Sequence, residues 1–210
     1  MIDLLPPALD AYIRELVPAR DPVLAEMEAY AAEHDVPIVG PAVGTLLQIL
    51  ATSIGADRVF ELGSAIGYST AFFAQAVGRG GQVFYTDGDP AKAERARGYL
   101  SRLGLDERVT IRVGDAVASL EATTGYFDVI FIDVDKEGYP QALQAAAPRI
   151  RRGGYLLADN VLWSGKVVDQ KAQDAATEGI RQFNRRLFSL DDYRSVIVPL
   201  RDGVAIARRE

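Results

Sequence analysis

Five short β-rich runs in this chain each end on an acid. Glu61 leads into Leu62-Gly63-Ser64-Ala65-Ile66-Gly67, and Asp87 follows Gln82–Thr86. Asp115 follows Val109–Val113 and Gly114. Asp133 and Asp135 follow Val129-Ile130-Phe131-Ile132, and Asp159 with Asn160 follows Tyr155–Ala158. Solubility alone would scatter acids over the whole surface. Ligands of open α/β sheets bind beyond the carboxyl ends of the strands, so this arrangement marks a site. The competing explanation for any single acid is that Asp caps the helix that follows.

The chemistry these residues can do falls into two groups. Asp133, Asp159 and Asn160 offer hard oxygen donors, a set suited to Mg²⁺, Ca²⁺ or Mn²⁺ with positions left for water or substrate. Lys136 stands three residues after Asp133. A lysine beside a divalent cation is pushed towards its neutral form and can act as a base. It can equally be a solvated lysine or a partner for Asp135. The second group is the glycine loop. Gly63 and Gly67 allow a backbone to approach a ligand closely, but Ala65 stands where a dinucleotide fingerprint needs its second glycine. The loop therefore suits a nucleoside-type ligand less bulky than NAD. Asp87, 20 residues beyond Gly67, can accept both hydroxyls of a ribose. Asp115 lies where an adenine edge would sit, or caps the helix starting at Ala116; the two roles can coexist. Trp163 walls a pocket or fills a gap, and His34 reads as a helix-terminal residue.

Composition limits the alternatives. The 210 residues carry 23 basic and 29 acidic side chains, a net charge of −6, and no cysteine. Thiolate catalysis, Cys-ligated zinc, iron–sulfur clusters and disulfides are excluded. A single histidine leaves little for a Ser-His-Asp engine. The acidic balance gives no broad footprint for DNA, although one structured RNA docking on a local patch is compatible with it. No apolar run reaches the ~20 residues a membrane helix needs, and Met1-Ile2-Asp3 opens no signal segment, so the cytosol is the expected address.

These residues need a scaffold. Residues 1–40 read as helical: Leu9 to Leu16, then Pro22 to about His34 behind the N-cap Asp21, with a third helix from Pro41 to Ile54. Residues 58–160 alternate strands and helices. The strands are Arg58–Leu62, Gln82–Thr86, Val109–Val113, Phe127–Ile132 and Tyr155–Ala158; the helices are Tyr68–Val77, Pro90–Leu103, Ala116–Glu121 and Tyr139–Ile150. Nearly continuous apolar strands are covered on both faces, as in a parallel sheet with crossover helices. Residues 161–210 add a helix from Asp174 to Phe188 and a hairpin, Ser195–Leu200 and Val204–Ala207, around Arg201-Asp202-Gly203. The expectation is one α/β domain, doubly wound and Rossmann-like, with a mostly parallel seven-stranded sheet, an antiparallel closing hairpin and an N-terminal helical cap.

Three stretches resemble one family in register. Val59-Phe60-Glu61-Leu62-Gly63-Ser64-Ala65-Ile66-Gly67-Tyr68-Ser69-Thr70 resembles the cofactor loop of the cation-dependent O-methyltransferases, the caffeoyl-CoA and catechol O-methyltransferase group. The run from Phe127 to Lys136 and Asp159-Asn160-Val161-Leu162-Trp163 resemble that family's two metal motifs, and order and spacing agree from about Leu5 to the C-terminus. The resemblance implies a class I methyltransferase fold with S-adenosylmethionine as donor. By position, Glu61, Gly63, Ser64 and Ser69 would hold its methionine part, Asp87 the ribose, and Ala116 with Asp115 the adenine. Asp135 would approach its amino group, and the backbone near Val39 would line the pocket. Asp133, Asp159 and Asn160 would bind the metal, with Lys136 as base. The resemblance also implies a homodimer. Ser164 stands where plant members commonly carry asparagine, and the N-terminal segment is short, so caffeoyl-CoA is not assigned as acceptor.

The expected reaction is methyl transfer to one of two adjacent hydroxyls on a small, hydroxylated aromatic acceptor. Methylation of a hydroxylated tRNA base is the alternative within the enzyme class. An NAD(P)-dependent oxidoreductase is disfavoured by Ala65 and by the lack of a Tyr-Lys relay motif. A non-catalytic cofactor-binding scaffold is disfavoured by the retained Asp133, Lys136, Asp159 and Asn160.

Overall fold

The computed structural model describes residues 6–17 and 20–210. The start of the chain, used above for its lack of a signal segment, lies outside them. Three helices come first: α1 (Pro7–Leu16), α2 (Pro22–Glu33) and α3 (Gly40–Ser53). Asp21 caps α2 by accepting from the Val23 amide at 2.8 Å, with Pro22 at the first helical position, where no intrahelical donor is needed.

Strands and helices then alternate: β1 (Arg58–Leu62), α4 (Tyr68–Ala76), β2 (Gln82–Asp87), α5 (Pro90–Arg102), β3 (Val109–Val113), α6 (Ala116–Glu121), β4 (Phe127–Ile132), α7 (Tyr139–Ala146) and β5 (Ile150–Ala158). The chain closes with α8 (Ala175–Leu187), β6 (Tyr193–Val198) and β7 (Val204–Arg209). The sheet order is β3-β2-β1-β4-β5-β7-β6. β1 to β5 are parallel, and β7 runs antiparallel between β5 and β6. The order reverses between β1 and β4, which opens a crevice at their carboxyl ends.

Alternation of side chains builds two cores. Val59, Val129 and Phe131 face α3 and α4; Phe60, Leu62, Ile130 and Ile132 face α7 and α8. All seven are fully buried. This two-sided cover is why the strands read as continuous apolar runs.

Three expected boundaries shift. The helix expected over Tyr139–Ile150 ends at Ala146, because Pro148 has no N–H to continue it; a 3₁₀ turn, Ala147–Arg149, follows. β5 begins at Ile150 rather than Tyr155. Its Arg151-Arg152-Gly153-Gly154 stretch looks like a turn but is an irregular strand start, with a register shift opposite Phe127 and Val129. Gly154 is required there, since a Cβ would lie 2.6 Å from the Asp128 carbonyl oxygen. The closing hairpin sits two residues early on β6, because Pro199 and Leu200 belong to the turn, where the Leu200 amide donates to Val198.

Candidate functional site

A cleft of about 1540 Å³ lies over the carboxyl ends of β1 to β5. Its wall includes Val39, Gly63, Ser64, Ser69, Asp87, Asp115, Ala116, Asp133, Asp135, Lys136, Asp159 and Asn160. The residues singled out from the sequence therefore share one cavity, except Glu61, Gly67 and His34. The Glu61 carboxyl is fully buried under the cleft floor.

The crossover point explains how the loop and the acids meet. Gly63 has φ +87°, and a Cβ on it would lie 2.3 Å from the Asp133 carbonyl oxygen. The glycine is needed here for contact with β4 itself. Gly67, with φ +83°, is likewise fixed by packing: its Cβ would meet Ala96 at 3.0 Å. Ala65 hydrogen-bonds instead to Asp87, whose Oδ2 accepts its amide at 2.9 Å while Oδ1 accepts from Asp89 at 2.9 Å. Asp87 thus ties the loop to β2. Asp115 accepts from the Ala118 amide at 2.7 Å, so the helix-cap role is present beside any ligand role.

Glu61 carries an unusual load. One carboxylate oxygen accepts from the Thr70 and Ser64 hydroxyls, and the other has no partner. Burial pushes its carboxyl up to about 7 from 4.5, against the hydroxyl donors that lower it. The folded chain then holds this proton more tightly than the unfolded one. Its contribution to stability is complete below about pH 4.5 and is lost as pH rises to about 7. At about 1.4 kcal/mol per unit the loss is about 3 kcal/mol at most. Glu61→Gln is expected to flatten this part of the profile. Thermal melts of the ligand-free protein from pH 4.5 to 8 check it; an unaltered slope would mean Glu61 is ionised throughout.

The far end of the cleft is built around Tyr139. Lys136 Nζ lies 2.8 Å from Asp133 Oδ1 and 3.0 Å from Tyr139 Oη. The Tyr139 hydroxyl donates to the Asp159 carbonyl oxygen at 2.8 Å. The ring is fully buried, edge-on to Phe183, and burial holds the phenol well above its ordinary pKa. One residue therefore links the base candidate to both acid-bearing strands. Sequence reasoning used Tyr139 only to start a helix; its spacing of three from Lys136 was the available signal. Glycine helps again: a Cβ on Gly179 of α8 would lie 2.3 Å from the Lys136 carbonyl oxygen.

Asp159 is 2% exposed, and its Oδ1 has no partner. Burial, and then the charge of Asp133, push its carboxyl up to about 7. Trp163 lines the cleft next to it, with its ring centroid 5.9 Å from Lys136 Nζ. Asp135 is exposed on the rim. His34 is exposed and stacks on Tyr30, outside the cleft wall. Among the described residues no group of three or more His, Cys, Asp or Glu side chains is arranged to hold a metal. Any cation here would rest on two carboxylates and the Asn160 amide. Among the described residues, no helix is long and apolar enough to cross a membrane.

Comparison with known proteins follows the same lines. The O-methyltransferase family model matches residues 15–210. A catechol O-methyltransferase of Niastella koreensis is 35% identical over 211 residues, covering 95% of this chain and 96% of that protein. A catechol O-methyltransferase of Mycobacterium tuberculosis is 36% identical over 166 residues, covering 78% and 76%. The O-methyltransferase of Bacillus cereus, crystallised in complex with SAH, superposes with a TM-score of 0.88 at 30% identity, covering 97% of both chains.

Proposed function

Because the chain belongs to the O-methyltransferase family, we propose that it moves the methyl group of S-adenosylmethionine to one of two adjacent hydroxyls on a catechol-like small molecule, with a divalent cation at the acceptor end. The carrying observation is the junction of the two halves of the cleft, where Gly63 backs directly onto the Asp133 carbonyl. Donor and acceptor ends thus share one floor. The Bacillus cereus relative was crystallised with SAH, the demethylated donor, and the relatives from Niastella koreensis and Mycobacterium tuberculosis are catechol O-methyltransferases. A cytosolic homodimer is part of the proposal and rests on the family resemblance.

The donor set fits a hard cation. Asp159 Oδ1 is buried without a partner, the charge of Asp133 acts on it, and Asp133 itself is paired with Lys136. Asp133, Asp159 and Asn160 would hold the ion. When bound, it would supply positive charge that acidifies a neighbouring hydroxyl, and S-adenosylmethionine would supply a methyl on a sulfonium.

The protein's own part follows from its contacts. Lys136 Nζ would take the proton from the acceptor hydroxyl oxygen. Tyr139 spends its own proton on the Asp159 carbonyl, so its oxygen can only accept from Lys136. That fixes the amine's direction. Trp163 and the cap residues Ile38 and Val39 wall the cleft and reduce water access. A dry pocket favours attack of an anion on a cation, because charge is dispersed as they react.

The test is transfer of labelled methyl to catechol. Transfer is expected, and its absence with catechol and with other vicinal diols overturns the reading. In parallel, Asp87→Ala is expected to weaken S-adenosylmethionine binding on the order of 10- to 100-fold, from loss of charged hydrogen bonds and of the Ala65 tether. Calorimetric affinity equal to wild type would reject the ribose role.

A further inference from the structure

The cleft wall holds eight acidic side chains and three basic ones among the described residues: Lys92, Lys136 and Arg201. Lys136 is paired with Asp133. Lys92 lies on α5, two residues into the helix that follows the Asp87 edge. Arg201 is different. It is exposed and lines the cleft, and among the described residues its guanidinium makes one hydrogen bond, from Nη1 to the Ile38 carbonyl oxygen at 2.9 Å. It forms no ion pair among the described residues.

The backbone holds Arg201 deliberately at the acceptor end. Its φ is +51°, a conformation that costs energy for any side chain but glycine. Asn160, Trp163 and Ser164, on the facing loop, have φ of +55°, +49° and +51°. The two loops are stitched together. The Leu162 amide donates to the Asp202 carbonyl at 2.9 Å, the Val161 amide donates to Gly203 at 3.0 Å, and the Ser164 amide donates to the Asp202 side chain. Strain of this kind persists where surrounding contacts overdetermine it, and it clusters at ligand clamps. Here it seats the Arg201 guanidinium on the cleft wall against Ile38 and Gly40, at the loop stitched to the Asn160–Ser164 segment.

We propose that Arg201 reads a carboxylate on the methyl acceptor, so that the substrate class is a catechol bearing an acid group on its ring or a short side chain. A planar fork with free donors matches a carboxylate in bidentate fashion. In a cleft this acidic, an anionic acceptor would otherwise be repelled. The inference rests on the methyl-transfer reading above.

The experiment compares 3,4-dihydroxybenzoate with its amide, 3,4-dihydroxybenzamide, which has nearly the same shape and no charge. Wild type is expected to prefer the acid in kcat/KM. Arg201→Gln should lose this preference on the order of 10- to 100-fold, mostly in KM, with activity on the amide and S-adenosylmethionine affinity both retained. Arg201→Lys, which keeps the charge without the fork, should fall between. Equal losses on both acceptors would make Arg201 a mere strut for the Ile38 segment and overturn the proposal. A fall in S-adenosylmethionine affinity with the acceptor ratio unchanged would assign Arg201 to the donor's own carboxylate, and equally overturn it. Wild type inactive on both, and on catechol, would instead sink the methyl-transfer reading beneath it.

Discussion

Lys136→Met is expected to lower kcat on the order of 10²- to 10⁴-fold, the usual range for a positioned general base, while S-adenosylmethionine affinity stays near wild type. Methionine keeps the length of the stem and removes the amine, together with its cation–π contacts to the Trp163 and Tyr139 rings. The lysine side chain is 12% exposed, and the amine is held by Asp133 Oδ1, Tyr139 Oη and, at 3.3 Å, the Val134 carbonyl. Such enclosure fixes the nitrogen in one place at the end of the cleft, and a solvated surface lysine would not have it. The measurement is single-turnover transfer to catechol at saturating donor, beside calorimetric titration of the donor. Single-turnover rates equal to wild type would remove Lys136 from the chemistry and send the search for a base elsewhere. A parallel collapse of donor affinity would show that the variant had disturbed the floor at Gly63 rather than the proton transfer.

The scaffold was legible because its signals are local. Asp-Pro at Asp21-Pro22 and Asp89-Pro90 announces helix starts, and an apolar run such as Val129-Ile130-Phe131-Ile132 has only one use in an alternating chain. The failures are also local. Arg151-Arg152-Gly153-Gly154 has turn composition, and only pairing with β4 makes it strand. In the site, the rule that acids beyond parallel strands converge brought the residues to one cleft. It could not say what each touches. Gly63 reads as room for a ligand and does line the cleft, but its packing against the Asp133 carbonyl leaves no mark in the sequence. Glu61 was read with the loop, whereas its side chain turns inward to Thr70 and Ser64. Tyr139 was unseen as a site residue because its role depends on a carbonyl 20 residues away, at Asp159. Arg201 was likewise visible only as part of a turn; the 163-residue separation from its partner Ile38 leaves no trace in spacing.

Asp133→Ala is expected to abolish transfer, and removal of divalent metal from wild type with a chelator is expected to match it. Charge stabilisation by a cation is worth several kcal/mol, and each 1.4 kcal/mol is tenfold, so the loss should reach on the order of 10³-fold or more. Excess Mg²⁺ should restore the chelated wild type and fail to restore the variant. A second readout does not depend on turnover. Asp159 is buried with an unpartnered oxygen, and its neighbour Asp133 raises its pKa, so the metal-free pair is a destabilising element. A ligand that binds only the folded state raises its melting temperature by mass action. Mg²⁺, Mn²⁺ or Ca²⁺ should therefore raise the melting temperature of wild type and leave that of Asp133→Ala unmoved. Lys136→Met separates the two roles, since it should keep the metal-induced shift while losing turnover. Asp133 and Lys136 touch, so the double variant should cost less than the product of the single losses. Full activity in chelator, with no thermal shift from any of the three ions, would leave Asp133 and Asp159 as a proton-sharing pair and confine the acceptor end to Lys136 alone.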